Sequence, residues 1–199
     1  MSGRDLLLFA RALLRSPREV GAIAPSSFVL GDRLAAVVPR REDAVIVELG
    51  AGTGVVTARI ERRRSPKSTF LAFERNPQLA MEVTRQAPRA QVIADDARRL
   101  RWHLEERSLT TVDAIVCGLP WANFSEEEQN ELLGVITNAL GTGGVFTTFA
   151  YVHALVLPQA RQFRDALAAR FDEVLPTRAV LRNLPPAITY VCRTPLVRR

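Results

Sequence analysis

The chain has 199 residues and a formal net charge of +6. That length holds one domain with a full-sized core, and the two cysteines, Cys117 and Cys192, sit in apolar strand-like runs that exclude a disulfide framework or a cysteine metal cluster. No apolar run reaches the length of a bilayer span, and Arg11, Arg15 and Arg18 break up the start where a secretory signal needs apolar residues, so a reducing cytoplasm is expected.

The first element is "RDLLLFARALLRSPR". On a helix, Arg4, Arg11, Arg15 and Arg18 fall on one narrow face. Leu6, Leu7, Phe9, Ala10, Leu13 and Leu14 cover the opposite side, and Leu8 intrudes on the basic face. The pattern fits an in-plane interfacial helix, where apolar burial and attraction to anionic lipid add. It also fits a surface helix packed on its own domain. Next comes "VGAIAPSSF" (20–28), too small and too Gly/Pro/Ser-punctuated for ordinary helix. Ser26 and Ser27 are placed to cap the helix that follows.

From there short apolar runs alternate with amphipathic stretches. Strands are predicted at 44–50, 68–74, 90–95, 111–118 and 143–151, and helices at 53–64, 76–87, 125–141 and 158–171. Pro77 suits the first turn of the second of these helices. Ser125 and Gly141 bound the third. Two more extended runs, about 173–182 and 187–194, flank "NLPP". Strand-then-helix order predicts a doubly wound, mostly parallel sheet of seven strands. The last two runs have no helix between them and predict an antiparallel hairpin at one edge. Residues 1–40 hold the amphipathic helix, the loop and a second helix, and residues 41–199 the core.

The chemistry begins at "VELGAGTGVVT" (47–57). Gly50, Gly52 and Gly54 mark a sharp turn between first strand and helix, where backbone can approach a ligand closely. Glu48 precedes the turn and Thr53 lies within it. A carboxylate there repels pyrophosphate and attracts a ligand carrying an amino group and a sulfonium. Glu74 ends the second strand, where an acid can take both hydroxyls of a ribose. Asp96, followed by Ala97, comes after the third strand and can accept from an adenine amino group. Each acid alone can equally be a loop residue or helix cap, and Asp95 and Asp96 are good caps. Three acids at three successive strand ends behind a glycine turn favour a ligand site.

With this ordered set, the chain resembles the class I S-adenosylmethionine-dependent methyltransferases. The resemblance implies that the glycine turn holds the methionine part, Glu74 the ribose and Asp96 the adenine, with S-adenosylhomocysteine as product. It also implies a seven-stranded sheet with a terminal hairpin. The methyl sulfonium then lies near the fourth strand's end, at "CGLPWANF" (117–124). Amino-group methylases of nucleic acid open this motif with Asn or Asp. Here Gly118 stands instead, which argues against adenine N6 methylation although Trp121 can still stack; the resemblance implies Gly118 beside the cofactor, with Pro120 and Trp121 as candidates at the reacting centre.

The blocks "GAIAPSS", "GLPW" and "NLPPA" are similar to those of the bacterial phospholipid N-methyltransferases, from about Phe9 to Arg193. That resemblance implies methylation of phosphatidylethanolamine and its partly methylated forms, leading towards phosphatidylcholine. The partner is then an anionic membrane surface, with peripheral attachment to the inner face of the plasma membrane. It also implies that the 20–28 loop closes over the cofactor, where Ser26 and Ser27 can donate to its carboxylate. For the head group the candidates are Tyr151 and His153 in "FAYVHAL", and Arg182 with Asn183 entering "NLPP". Tyr151, Arg182 and Asn183 are the phosphate candidates, and His153 can bind phosphate or relay a proton. His103 is expected to be structural. No metal and no nucleic acid are expected. An RNA methyltransferase of the rRNA adenine type, and a cofactor-binding protein without catalysis, remain the alternatives.

Overall fold

A computed structural model describes residues 27–196. The amphipathic helix expected at the start, Ser26 and most of the 20–28 loop therefore lie outside the described residues. The elements in chain order are α1 (Phe28–Leu34), β1 (Val45–Leu49), α2 (Val55–Arg63), β2 (Thr69–Phe73), α3 (Pro77–Gln86) and β3 (Gln91–Ile93). They continue with α4 (Leu100–Glu105), β4 (Val112–Cys117), α5 (Glu126–Ala139), β5 (Leu140–Tyr151), α6 (Pro158–Ala168), β6 (Phe171–Pro176) and β7 (Ala187–Pro195).

The seven strands form one sheet in the order β3-β2-β1-β4-β5-β7-β6. The first five run parallel, and β7 is antiparallel to both β5 and β6. This is the predicted Rossmann-like methyltransferase architecture with its terminal hairpin. The winding order reverses at β1, so the carboxyl ends of the parallel neighbours β1 and β4 lie side by side, with Leu49 paired to Cys117. A crevice at that switch point is where open α/β sheets bind ligands.

Each face of the sheet has its own core. On one side Leu30 and Leu34 of α1, Val56 and Ile60 of α2 and Val83 of α3 pack over Ile46, Phe70 and Val116. On the other, Leu100 of α4, Leu132, Leu133 and Ile136 of α5, and Phe163 and Leu167 of α6 cover Val47, Leu49, Ile115 and Phe146. The strands bury both faces, which is why they read as continuous apolar runs rather than alternating ones. Cys117 and Cys192 are free and buried, and burial pushes both thiols up to about 12, so they act as neutral core filler.

Local signals place the boundaries. Ser125 and Glu128 form a capping box at the start of α5, and Asn76 caps α3 with Pro77 as its first residue. Three of the departures from expectation have a visible cause. Helix α4 fills the stretch between β3 and β4, too short and too arginine-rich for its period to be visible. Helix α5 ends at Ala139 rather than Gly141, because Leu140 already pairs with Val112. The sixth strand stops at Pro176, and beyond it the pairing continues through the Thr177 amide on the Thr189 carbonyl and a bridge from Val180 to Ala187. There the chain turns inward, and the Asn183 side chain fixes the turn by donating to the Pro185 carbonyl at 2.7 Å.

Candidate active site

The turn after β1 is pinned from three sides. The Gly50 and Ala51 amides both donate to the Phe73 carbonyl at 2.9 Å, and the Gly118 amide donates to the Leu49 carbonyl at 2.8 Å. Gly50 has a φ of +78°, and a Cβ there would stand 2.8 Å from Leu119 Cδ2. A Cβ on Gly118 would stand 2.7 Å from the Gly50 carbonyl oxygen, backbone against backbone. The absent side chain at 118 thus has a steric cause: the turn after β1 presses directly on the end of β4.

Glu74 closes the turn. Its two carboxylate oxygens accept from the Gly52 amide and the Asn76 amide, each at 2.8 Å. Burial raises its pKa, and these two backbone donors and Arg75 oppose the rise. Around Gly52 itself the space is open, with nothing within 4 Å of where a Cβ would stand. Two accepted bonds leave lone pairs on both oxygens for further donors. Replacing Glu74 with Ala is therefore expected to weaken S-adenosylmethionine binding at least tenfold, about 1.4 kcal/mol, when titrated by calorimetry. Unchanged affinity would remove Glu74 from the site.

Glu48 is 1% exposed, and neither carboxylate oxygen has a hydrogen-bond partner. Burial pushes its pKa up to about 8; the nearby Thr57 opposes the rise and the charge of Glu74 adds to it. The Thr57 hydroxyl is itself buried without a partner. An orphaned acid beside a glycine turn is what a cationic ligand requires. The residues present therefore fit S-adenosylmethionine: Glu48 towards its charged amino end, Gly50, Gly52 and Thr53 along the turn, and Glu74 on the ribose.

Asp96 caps the short 3-10 turn Ala97–Arg99, accepting from the Arg98 amide at 2.8 Å, and it pairs with the Arg98 guanidinium at 3.2 Å. Both cap and carboxylate lie at the third strand end, with Ala97 buried behind them. His103 is structural, as expected. It is buried, pairs with Asp95 at 2.9 Å and packs edge-on against Phe73.

Beyond the end of β4 opens a cleft of about 490 Å³, its mouth included. Its walls are Leu119, Pro120 and Trp121, then Phe149 and Tyr151 from β5, then Gln159 and Phe163 from α6. Leu119 belongs both to this cleft and to the contact with Gly50, so the two spaces adjoin. Tyr151 is half-buried, burial raises its phenol pKa, and His153 stacks on it at 5.6 Å from the exposed side. The walls at Phe149 and Phe163 were not among the expected site residues. The spacing of Gln159, Ala160 and Phe163 on one face of a helix was the signal for the latter.

Two candidates take different parts from those expected. Trp121 is a buried wall, stacked on Phe163 at 4.6 Å with its indole N–H donated to the Thr148 hydroxyl at 2.7 Å. It is no open platform for a base. Asn183 is 2% exposed; its carbonyl accepts from the Ser27 amide at 2.8 Å and its amide holds Pro185. Both ends of its side chain are committed to structure, so it is a clamp and not a phosphate ligand. Arg182 beside it is exposed. Ser27 caps α1, accepting from the Leu30 amide at 3.2 Å.

No family model matches the chain. An ornithine lipid N-methyltransferase from Singulisphaera acidiphila is 32% identical over 193 residues, 96% of each chain. Among solved structures, an O-methyltransferase from Bacillus cereus in complex with S-adenosylhomocysteine matches with a TM-score of 0.63 at 15% identity, over 97% of this chain and 92% of that one. An rRNA methylase from Streptococcus thermophilus matches with a TM-score of 0.60 at 14% identity, over 83% of this chain and 94% of that one. The two structures share the fold, and the relative aligns over nearly the whole length of the chain. The chain belongs to the lipid N-methyltransferase family of the class I S-adenosylmethionine-dependent methyltransferases, with S-adenosylmethionine as its methyl donor.

Proposed function

We propose that the chain methylates the amine of phosphatidylethanolamine and of its partly methylated forms, towards phosphatidylcholine, at an anionic membrane surface on the cytoplasmic side. The observation that carries this reading is the apolar cleft adjoining the cofactor turn at Leu119. Bound S-adenosylmethionine supplies an activated methyl group on a sulfonium. The lipid must present an amine with a free lone pair, and an ethanolamine ammonium, with a pKa near that of lysine at about 10, has none at neutral pH. Walls of Leu119, Pro120, Trp121, Phe149 and Phe163 disfavour the charged form, so the amine enters by shedding its proton. Tyr151, kept protonated by burial, can donate to the lipid phosphate at the mouth. His153 and Arg182 add positive or donor groups outside it. The amine needs no side-chain ligand at position 118, where none fits.

The relative that supports a lipid substrate is named for ornithine lipid, which also carries a primary amine. The test offers the purified full chain labelled S-adenosylmethionine with vesicles of phosphatidylethanolamine, vesicles of ornithine lipid, or RNA. Label is expected in extracted phosphatidylethanolamine. Label confined to ornithine lipid or to RNA overturns the substrate reading.

The basic amphipathic pattern of residues 3–15 supports a membrane anchor. A variant lacking them is expected to stay folded and bind cofactor but to lose most of its flotation with anionic vesicles at low salt. Full flotation would move the anchor elsewhere. Among the described residues no helix is long and apolar enough to cross a membrane.

A further inference from the structure

Three segments are tied together beside the cleft, and one of them contributes Ala154 to its wall. The start of α1 is tied to the "NLPP" turn by the bond from the Ser27 amide to Asn183. The turn is tied to the end of β5 by the bond from the Val152 amide to the Pro186 carbonyl at 2.8 Å. Most of the large apolar side chains that the described residues expose lie in these segments: Phe28, Val152, Val156, Leu157, Leu181 and Leu184. Val156, Leu181 and Leu184 are 79%, 78% and 80% exposed. Aliphatic side chains concentrated on one rim mark an interaction surface, whereas scattered ones do not.

The charges on two of the three segments have one sign; near the third, Asp32 lies one helical turn from Phe28 and is paired with Arg59 at 3.4 Å. Residues 150–164 and 174–196 contain no acid, and Arg161, Arg178 and Arg182 stand exposed among them. The cleft is too small for two acyl chains, each of which spans about half of a bilayer core roughly 30 Å thick. A lipid whose amine reaches Leu119 must leave its chains outside, past this rim.

We propose that the rim formed by residues 28–29, 152–157 and 181–184 docks on an anionic phospholipid bilayer, with Val156, Leu181 and Leu184 entering the interface and the arginines meeting lipid head groups. This contact belongs to the folded domain and is separate from any made by residues 3–15. It rests on the reading that the substrate is a membrane lipid, and it explains how the cleft mouth comes to face one. The surface is small, so the attachment is reversible and sensitive to salt.

The test is the triple variant Val156→Ser, Leu181→Ser, Leu184→Ser in the full chain. Thermal unfolding and S-adenosylmethionine affinity verify that it folds. Flotation with vesicles of phosphatidylethanolamine and phosphatidylglycerol is expected to fall at least tenfold. Methylation of those vesicles should fall by a similar factor, while methylation of a water-soluble short-chain phosphatidylethanolamine stays within twofold. A folded variant that floats and methylates vesicles like the parent overturns the docking surface. So does a loss on short-chain lipid equal to that on vesicles, because the residues would then act inside the cleft. If the parent floats through the rim yet methylates neither lipid, the docking stands and the substrate reading fails.

Discussion

Gly118→Ala is expected to cut methyl transfer about a hundredfold. The added Cβ would stand 2.7 Å from the Gly50 carbonyl oxygen, and neither atom belongs to a flexible side chain. One backbone must move: the end of β4, which fronts the cleft, or the glycine turn proposed to hold the cofactor. A displacement on the order of 1 Å at a reacting centre costs about that factor, and crowding in a packed site costs about 1–3 kcal/mol of stability. Gly134→Ala is the control. It lies in α5 with nothing within 4 Å of its Cβ position, and it should gain about 0.5–1 kcal/mol from helix propensity with activity unchanged. Thermal unfolding, calorimetry and turnover on the pair separate the two outcomes. Native turnover in Gly118→Ala would mean that the turn and β4 are not held against each other as described.

Glu48→Gln is expected to raise stability and lower cofactor affinity together. The Glu48 carboxyl has a pKa of about 8 in the folded chain against 4.5 as its ordinary value. Below about 4.5 it is protonated whether folded or not, and burial has no ionic cost. Between about 4.5 and 8 the unfolded chain is ionised while the folded chain keeps the proton, so stability falls as pH rises. The fall is at most about 1.4 kcal/mol per pH unit for one proton, and it ends above about 8. Glu48→Gln removes this slope, so the variant overtakes the parent progressively through that window. A cation beside Glu48 favours its ionised form, so S-adenosylmethionine binding at neutral pH should expel a proton. Affinity should rise with pH over the same window, and both effects should vanish in the variant, with affinity at pH 8 down at least tenfold. Calorimetry in buffers of different ionisation enthalpy counts the proton. Binding without proton release would place the cofactor's cation away from Glu48.

The sheet was legible because the parallel strands are buried on both faces and punctuated by clear signals. The Ser125 capping box, Asn76–Pro77 and the glycine turn each carry a local cause that tertiary packing did not override. The acids at strand ends were legible by position. What they touch was not, because the pairing of Glu74 with the Gly52 amide spans two strands. Trp121 and Asn183 show the limit most clearly. An aromatic after a strand end and an amide before a proline turn both suit ligand contact. Only the fold brings Thr148 and Phe163 to the one, and Ser27 and Pro185 to the other, turning both inward. The exposed apolar rim was invisible for a related reason. Val156 and Leu184 sit in loops, where apolar residues carry no period, and their convergence depends on β7 running antiparallel beside β5.

Expression of the chain in a bacterium whose membrane contains phosphatidylethanolamine but none of its methylated forms, followed by mass spectrometry of total lipid, tests the central claim most directly. Mono-, di- and trimethylated phosphatidylethanolamine should appear in succession, and Gly118→Ala should suppress them. A phosphatidylethanolamine pool left unmethylated by a folded, cofactor-binding protein would contradict the account.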